Sequence, residues 1–296
     1  MIKVILKGGL GNQMFQYACG KSLSLATEQE LILDTTFLKS RLPLSGFTYR
    51  DYELNIFNVH ERMASFSKSV FVSKYLSYPA FRLIKKLWGS GYVLESFEKQ
   101  YIYFPELFSI SRDNLIIEGY WTSYKYFKAH EKEVREIFDT AKLYDEKYSD
   151  IEGEIAGSNA VSINIRRGDY LNKVNANFFT YLGEAYYKSA IDIIRKKVEN
   201  PKFFVFSYDD PEWIKNVLEF KNDELTIVDN KYIGERFKTY LRLMSLCKHN
   251  IISNSTFAFW GAWLNNNLNK CVVCPTSWVK GKTFDIPRGW DSIRNE

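Results

Sequence analysis

The sequence lacks any apolar run close to the roughly 20 residues that a membrane-spanning helix requires. Its first apolar stretch, Ile2–Leu6, is too short for an export signal and is typical of a strand. Only 4 of the 296 residues are cysteines, which argues against a secreted disulfide scaffold. The 40 basic residues are nearly balanced by 35 acidic ones, so the charge does not favour a nucleic-acid binder. Together these absences predict a cytoplasmic protein.

One group of residues resembles a metal site: the pair Cys271 and Cys274, with Cys247 and His249 upstream. The Cys-x-His spacing is poor for a zinc knuckle, and Val272-Val273 is typical of a buried strand rather than of a knuckle turn. We therefore predict thiols packed in the core and no bound metal or other cofactor.

The pattern along the chain predicts an α/β fold. Short β-branched runs alternate with amphipathic stretches, as in parallel sheets covered by helices. A polar, glycine-bearing stretch at 144–159 suggests a boundary, and we predict domains at 1–155 and 156–296. The predicted strands are Ile2–Leu6, Leu31–Leu33, Leu115–Glu118, Val161–Ile165, Phe203–Ser207, Leu225–Val228, Asn250–Ser253 and Cys271–Cys274, and the predicted helices are Asn12–Ala26, Glu184–Val198, Pro211–Leu218 and Gly234–Cys247.

The segment from Arg62 to Leu94 contains no acidic residue, while lysines and arginines accumulate among its aromatic residues. Such a segment could rest on an anionic membrane surface or on a lipid-linked diphosphate. The alternative is a solvated helical hairpin whose lysines keep their charged ends in water.

A glycine-rich loop, Gly8-Gly9-Leu10-Gly11-Asn12-Gln13, follows the first strand and leads into a helix. Glycines allow close approach of a ligand, and a helix N-terminus offers free N–H donors. With Asp34 after the next strand, the loop partly resembles a dinucleotide-binding fingerprint, although Met14 stands where a third small residue belongs. A tight turn with Asn12 as the helix N-cap is the structural alternative.

Two adjacent arginines, Arg166 and Arg167, follow the apolar strand Val161–Ile165, and Asp169 comes shortly after. Two guanidinium groups in one turn suit a doubly charged oxyanion such as the diphosphate of a sugar nucleotide. The alternative is an ordinary Arg–Asp pair that closes a βα turn.

Polar residues also follow two other strands of the second domain. Ser207 and Asp209 end one strand, with Asp210 as the expected N-cap of the next helix, and Ser253-Asn254-Ser255-Thr256 precede an aromatic helix. Ligands of open parallel sheets bind beyond the carboxyl ends of the strands, so these loops and the arginine pair are expected to meet. A basic pair, hydroxyl groups and a helix N-terminus would together hold a nucleotide diphosphate.

Three blocks carry a specific resemblance to a known family. They are Gly8-Gly-Leu-Gly-Asn-Gln-Met-Phe-Gln-Tyr-Ala18, Arg166-Arg-Gly-Asp-Tyr170 and Met244-Ser-Leu-Cys-Lys-His-Asn-Ile-Ile-Ser-Asn-Ser-Thr-Phe257, and Gly119-Tyr-Trp-Thr-Ser-Tyr-Lys-Tyr-Phe127 fits as well. In this order they resemble the bacterial α1,2-fucosyltransferases, glycosyltransferase family 11, from the first strand to about Leu264.

The resemblance implies a GT-B fold, in which two Rossmann-like domains face a cleft, with the acceptor on the first and the nucleotide sugar on the second. It implies a metal-independent, inverting transfer of L-fucose from GDP-L-fucose to a galactose 2-hydroxyl in a surface glycan such as O-antigen. Arg166 would bind the β-phosphate, and Asn12 would lie beside the reacting sugar, with Asp169 as a further catalytic candidate. The donor would be held by Gly9, Gly11, Asn164, Arg166, Arg167, Ser207, Asp209, Tyr240, Ser253, Asn254, Ser255 and Thr256.

Two positions depart from the family pattern, which usually has histidine at Asn164 and commonly aspartate at Tyr240. Those positions read the guanine base in related enzymes, so GDP-colitose or a dTDP- or UDP-linked deoxysugar remains an alternative donor. The general base is also open: Val174 replaces a glutamate found in related core fucosyltransferases. The carboxylates left as candidates are Asp34, Asp169 and Glu184.

Two other classes of function remain as alternatives. A nicotinamide-dependent oxidoreductase would use the glycine loop and Asp34, but it leaves the arginine pair unexplained. A non-catalytic glycan- or nucleotide-binding protein would account for the two altered base-reading positions.

Overall fold

A computed structural model describes residues 1–39, 49–64, 91–95, 100–110, 112–166, 178–207, 214–215, 218, 220 and 224–294. The chain forms two compact units, Met1–Ile137 and Phe138–Glu296. Each unit contains a parallel sheet, which confirms the predicted α/β class with two Rossmann-like domains. That these domains face a cleft stays a prediction. The predicted site residues Arg167, Asp169 and Asp209 lie outside the described residues, as does most of the predicted helix Pro211–Leu218.

The first unit is built on a parallel sheet with the strand order β3-β2-β1-β5-β4. The predicted return of Leu115–Glu118 to the sheet of the first strand is confirmed, since Ile5 pairs with Glu118. The described elements are β1 (Ile2–Ile5), α1 (Leu10–Thr27), β2 (Leu31–Asp34), α2 (Thr36–Lys39), β3 (Arg62–Ala64), β4 (Gly91–Leu94), β5 (Leu115–Glu118) and α3 (Glu131–Ile137).

Helix α1 packs directly on the sheet because one of its residues has no side chain. A Cβ atom at Gly20 would overlap Cγ2 of Val4 on β1. The helix also begins earlier than predicted, at Leu10, with Gly9 as its N-cap residue. Asn12 therefore lies in the first turn, and its assignment as N-cap is wrong.

The second unit is built on a six-stranded parallel sheet with the order β13-β10-β9-β6-β7-β8, and a short antiparallel hairpin of β11 and β12 follows β10. Its core contains β-branched residues of the central strands and apolar residues of α5. The described elements are α4 (Ser149–Ala156), β6 (Asn159–Ile165), α5 (Glu184–Lys197), β7 (Pro201–Ser207), β8 (Leu225–Val228), α6 (Lys238–Leu246), β9 (His249–Ile251), α7 (Thr256–Leu264), β10 (Val272–Pro275), β11 (Ser277–Val279), β12 (Lys282–Thr283) and β13 (Asp291–Ile293).

The helix predicted at Gly234–Cys247 is divided. A short 3-10 turn covers Glu235–Phe237, and the α-helix starts only at Lys238. The backbone takes positive φ angles at Gly234, Arg236 and Phe237, and such angles interrupt a right-handed helix.

The division between the units falls after Ile137, earlier than the predicted boundary at 155. Residues that follow Ile137 pack on helices of the second unit. Phe138 packs edge-on against Trp260 with ring centroids 5.2 Å apart, and Arg242 of α6 forms a hydrogen-bonded ion pair with Glu152 of α4. Polar, glycine-bearing composition thus marks a helix that belongs to the second unit rather than a linker.

Both ends of the basic, aromatic segment 62–94 are strands, β3 and β4, which the sequence did not predict. The residues between them, 65–90, lie outside the described part of the chain. In the described residues, no helix combines the length and the apolar character needed to cross a bilayer.

Candidate functional site

The carboxyl ends of β9, β6 and β7 lie side by side in the second unit, because these three strands are neighbours in the sheet. Asn164, near the end of β6, connects all three. Its Oδ1 accepts a hydrogen bond of 2.6 Å from the Ser253 hydroxyl, and its Nδ2 donates to the Phe206 carbonyl at 3.5 Å. The structure therefore brings Asn164, Ser253 and Ser207, which follows Phe206, to one edge of the sheet, as the sequence predicts.

Arg166 is the first residue after β6 and is half-buried at this edge. The tyrosines of α5 fix the neighbouring backbone. The Tyr186 hydroxyl donates to the Ile252 carbonyl at 2.5 Å, and the Tyr187 hydroxyl donates to the Asn164 carbonyl at 3.4 Å. Burial raises the pKa of Tyr186 well above its usual value, so the hydroxyl stays a donor. The sequence pattern did not identify these tyrosines as supports of the site.

Residues 253–256 form the entry to α7. The Ser255 hydroxyl accepts a hydrogen bond of 3.4 Å from the Ala258 N–H, so Ser255 caps the helix. Asn254 donates to the carbonyls of Thr180 and Trp278 at 2.7 and 3.1 Å and is 3% exposed. Thr256 begins the helix and is half-buried. The N–H groups of the first turn of a helix form a local positive end that suits an anion.

Tyr240 on α6 has its hydroxyl engaged by the protein. It is 2% exposed and donates at 2.8 Å to the Val228 carbonyl, at the end of β8. Its ring packs edge-on against Phe206 with centroids 5.2 Å apart. The structure thus places Tyr240 beside the end of β7, where it joins two strands to α6.

A buried polar network underlies the same edge. Asn250 on β9 donates to the Ser162 hydroxyl of β6 at 2.7 Å and to the Met244 carbonyl of α6 at 2.9 Å, and Asn265 donates to Asn250 Oδ1 at 2.8 Å. Asn250 and Ser162 are fully buried. The network fixes β9 against α6 and α7, and a buried asparagine inside an apolar strand was the sequence signal for it.

The glycine loop of the first unit is held by two buried glutamines. Gln13 donates to the carbonyls of Gly8 and Asp51, both at 2.8 Å, and accepts from the Glu53 N–H at 2.9 Å. Gln16 forms two bonds of 3.0 Å with Lys7, one to its N–H and one to its carbonyl. Both glutamines are fully buried, and their bonds hold the loop and the adjoining Lys7 in place.

Polar and charged side chains lie above two glycines of the loop. A Cβ at Gly8, whose φ is +76°, would lie 2.5 Å from Nδ2 of Asn12, so the Asn12 amide covers Gly8. A Cβ at Gly9 would lie 3.7 Å from Glu53 Oε2 and 3.9 Å from Arg50 Nε. Arg50 therefore brings a cation beside the loop, and no sequence motif indicates this contact. Gly11 is buried inside α1.

Two candidate general bases have structural partners. Asp34 is fully buried, and its Oδ1 accepts a hydrogen bond of 2.9 Å from the Thr36 N–H at the start of α2. Its full burial leaves the carboxylate without access to the ribose hydroxyls that a dinucleotide site binds. Glu184 is exposed in the first turn of α5 and pairs with Lys188 at 2.8 Å.

A second group of carboxylates lies at the carboxyl ends of β4 and β5 and was missed by the sequence analysis. Glu118 accepts a hydrogen bond from the Tyr92 hydroxyl and lies 3.8 Å from the Lys7 ammonium. Glu95 accepts from the backbone N–H groups of Tyr120 at 2.6 Å and Trp121 at 3.2 Å. Burial, with the two carboxylates nearby, raises the pKa of Tyr120 to about 12.

The cysteines do not assemble a metal centre. In the described ranges, no three histidine, cysteine, aspartate or glutamate residues come together as metal ligands. Cys247 and Cys274 are buried, and His249 accepts a hydrogen bond of 3.0 Å from the Cys271 N–H through Nδ1. Asp209 and Asp210 lie outside the described residues.

Comparison with known proteins gives a consistent family. The profile of Glycosyl transferase family 11 matches residues 1–282. An α-1,2-colitosyltransferase of Escherichia coli is 33% identical, with 97% of each chain covered. The O-antigen biosynthesis glycosyltransferase WbnK of Escherichia coli is 32% identical, covering 93% of this chain and 94% of that protein.

Among solved structures, the NodZ α-1,6-fucosyltransferase of Bradyrhizobium, soaked with GDP-fucose, has a TM-score of 0.49 and 16% identity, with 89% of this chain and 91% of that chain covered. The family match spans nearly the whole chain and replaces the oxidoreductase alternative, whose Asp34 is fully buried. The chain is thus a glycosyltransferase that belongs to glycosyl transferase family 11.

Proposed function

We propose that this protein transfers a deoxysugar, L-fucose or the related colitose, from its GDP-linked form to the 2-hydroxyl of a galactose. The product is an α1,2 linkage in a bacterial surface glycan such as O-antigen. Membership of family 11 and the two Escherichia coli relatives, one a colitosyltransferase and one an O-antigen glycosyltransferase, support this assignment.

The observation that carries the proposal is the joining of three strand ends through Asn164. Arg166, which follows β6, the end of β7 and the approach to the α7 N-terminus therefore lie at one edge of the sheet. A guanidinium group and free helix N–H groups are the groups that bind a diphosphate. We assign this edge to the donor, with Arg166 on the β-phosphate and Ser255 and Thr256 near the helix end.

The reaction then follows from charge. The acceptor oxygen forms a bond to C1 of the sugar while the bond from C1 to the β-phosphate oxygen breaks, which inverts C1 and releases GDP. Negative charge grows on the departing phosphate, and fixed cations and N–H dipoles stabilise it without reorganisation. We propose that Arg166 performs this role without a metal, and that the acceptor proton leaves to a base or water late in the reaction.

Asn164 and Tyr240 take a supporting role in this proposal. The Asn164 amide is bonded to Ser253 and Phe206, and the Tyr240 hydroxyl is bonded to Val228. These bonds favour the two residues as walls of the nucleotide site rather than as readers of guanine hydrogen-bonding groups. The family's usual base contacts are replaced here, so the choice of base is the most informative property to measure.

The first test is a calorimetric titration of the purified protein with GDP, UDP and dTDP in the presence of EDTA. Binding of GDP alone supports a GDP-linked donor and a metal-free site. Preference for UDP or dTDP would replace the donor, and binding only after Mg²⁺ is restored would contradict the metal-free mechanism and direct attention to Asp209.

The second test distinguishes the sugars. The protein is supplied with GDP-L-fucose and with GDP-colitose at equal concentration, and transfer to a galactoside is followed by mass spectrometry. The 33% identity to a colitosyltransferase makes colitose the specific competitor. A protein that uses neither donor, and hydrolyses neither, would return the non-catalytic binding alternative.

We further propose that the acceptor is a galactose-terminated glycan carried on a lipid. The enzyme would then work in the cytoplasm, on the inner face of the plasma membrane. The basic, aromatic segment 62–94 supports peripheral contact with anionic lipid. Sedimentation with vesicles containing anionic lipid, compared with neutral vesicles, tests this placement.

A further inference from the structure

A cavity of about 210 Å³ lies in the first unit, outside the edge assigned to the donor. It opens where β4 and β5 end, and we call it the Trp121 cavity. Its walls are aromatic and aliphatic, with one carboxylate. The residues that line it and matter here are Tyr92, Glu95, Phe104, Trp121 and Tyr126.

The backbone that carries Trp121 is strained. Trp121 has a φ of +52°, which is costly for a large side chain and persists only where its surroundings enforce it. Glu95 provides that enforcement, since its Oε2 accepts from the N–H groups of both Tyr120 and Trp121. Gly119 is required beside it because a Cβ there would overlap the Glu95 side chain. The contacts of Glu95 with the Gly119-Tyr120-Trp121 motif therefore hold the Trp121 ring at the cavity wall.

The indole of Trp121 retains unused hydrogen-bonding capacity. The side chain is 1% exposed, and its Nε1 has no hydrogen-bond partner within the described part of the chain. A buried donor without a partner costs free energy, and an indole N–H usually has one. A ligand oxygen in the cavity would complete it.

The chemistry of the cavity selects its ligand. Aromatic walls suit the apolar C–H face of a sugar ring, while a carboxylate and an N–H donor suit its hydroxyl groups. A phosphate would be repelled by the Glu95 carboxylate, which argues against the nucleotide sugar. The volume is below the roughly 300–1,000 Å³ of sites for drug-sized ligands, so it fits one ring.

We propose that the Trp121 cavity binds a single pyranose ring of the acceptor glycan, with Glu95 accepting from a sugar hydroxyl and Trp121 Nε1 donating to a sugar oxygen. The identification of this sugar as part of the acceptor rests on the proposed function. The binding of a neutral sugar ring in the cavity is tested without reference to transfer.

The test follows the indole N–H resonance of Trp121 in ¹⁵N-labelled protein. The Trp121→Phe variant identifies the resonance by its loss and keeps a ring in the cavity. Methyl β-galactoside is then added to the wild type, to Glu95→Gln and to Glu61→Gln. The Glu61→Gln control removes a carboxylate of the same unit that bonds Tyr17 and Lys21 away from the cavity.

We expect a saturable shift of the Trp121 resonance, with an apparent dissociation constant about tenfold weaker in Glu95→Gln, the loss typical of one charge-assisted hydrogen bond. The Glu61→Gln control should titrate like the wild type. A resonance that stays in place through a large excess of the galactoside would overturn the proposal, and so would an unchanged constant in Glu95→Gln. A shift produced by GDP instead would assign the cavity to the donor and also overturn it.

Kinetics separate this proposal from the proposed function. In Trp121→Phe and Glu95→Gln, we expect the KM for the acceptor to rise about tenfold while donor hydrolysis stays within twofold of the wild type. A saturable indole shift in a protein that uses no nucleotide sugar would remove the proposed function and leave the sugar site standing. Equal loss of donor hydrolysis and thermal stability would instead make the cavity a structural feature and overturn the proposal.

Discussion

At the scale of single residues, several polar side chains of the two candidate regions bond the protein itself and hold the backbone in place. Asn164 and Tyr240 are bonded to neighbouring strands, and Gln13 and Gln16 are bonded to the glycine loop. Arg166 differs, since its position directly after β6 places a cation at the ends of three strands. Arg166 is therefore the candidate for catalysis, and the other side chains hold the backbone around the candidate regions.

Replacing Arg166 by alanine should lower transfer by roughly a hundredfold or more, the loss found when a fixed stabiliser of transition-state charge is removed. The melting temperature should change little, because the strand ends are joined by other side chains. Initial rates with saturating donor and a thermal melt measure both effects.

The matched control for Arg166→Ala is Arg62→Ala. The Arg62 side chain is 62% exposed and pairs with Glu30 at the surface. Near-normal transfer in Arg166→Ala, or an equal loss in Arg62→Ala, would contradict the assignment.

The two hydrogen bonds between Gln16 and Lys7 should contribute measurably to the free energy of unfolding. Gln16→Ala removes the fully buried amide that bonds the N–H and carbonyl of the half-buried Lys7, so we expect a loss of about 1–3 kcal/mol in the free energy of unfolding. Urea denaturation measures it. Gln29 is half-buried, and the control variant Gln29→Ala should cost under about 1 kcal/mol. Equal costs for the two variants would show that the bonds to Lys7 are not the cause.

Arg166 and the Ser253–Thr256 segment could be placed at strand ends from the sequence because strands, arginines and hydroxyl residues have local signatures. The bonds of Tyr240 and Gln13 to backbone carbonyls could not be predicted, because those carbonyls are distant in sequence. Glu95 was missed for the same reason, since its role depends on a strained turn 25 residues further along the chain.

At the scale of elements, the spacing between α1 and β1 depends on a glycine. Gly20→Ala places a methyl group into Val4 and should cost about 1–3 kcal/mol in the free energy of unfolding, as overpacking does. Gly153→Ala in α4 is the matched change with the opposite expected sign, because a Cβ there meets nothing within 4 Å. It should stabilise by about 0.4–1 kcal/mol through the unfolded state. Chemical denaturation of both variants would contradict this account if both were destabilised alike.

Glu61, the residue before β3, accepts hydrogen bonds from Tyr17 and Lys21 of α1. These bonds should make an acid-sensitive contribution to stability. Burial raises the pKa of Glu61, but hydrogen bonds from Tyr17 and Lys21 outweigh it, and the net pKa lies below the ordinary value. A lowered pKa in the folded state means that the contribution is present above the ordinary pKa and is lost as the pH falls through the folded value.

The difference in unfolding free energy between the wild type and Glu61→Gln should therefore be largest near pH 7 and shrink on acidification. Denaturation curves recorded from pH 7 down through the acid range measure this difference. A constant difference between the two proteins would contradict the linkage.

Elements with strong local patterns agree closely with prediction. Leu225–Val228 has the predicted bounds, and β6 and β7 begin only two residues before the predicted starts. β3, β4 and β13 were missed because they are short or polar, and their strand character comes from pairing with β2, β5 and β10. The break before α6 was missed because positive φ at Arg236 and Phe237 has no local signature.

At the scale of the whole molecule, the division after Ile137 is open to a direct test. A fragment of residues 138–296 keeps Phe138 against Trp260 and Glu152 against Arg242, whereas a fragment of 156–296 loses both contacts. We expect the longer fragment to be folded and the shorter one to be much less stable, measured by circular dichroism and thermal melting. Equal stability would favour the boundary predicted from composition.

The full burial of three thiols and the partial burial of Cys271 have a practical consequence for labelling. Burial raises the pKa of Cys271 to about 11 and that of Cys274 to about 12, and it raises the pKa values of Cys19 and Cys247 above the usual range. Reaction with maleimides or oxidants requires the thiolate, which is scarce at neutral pH under these conditions. The native chain therefore provides a quiet background on which a single introduced surface cysteine could carry a fluorophore or spin label without prior removal of the others.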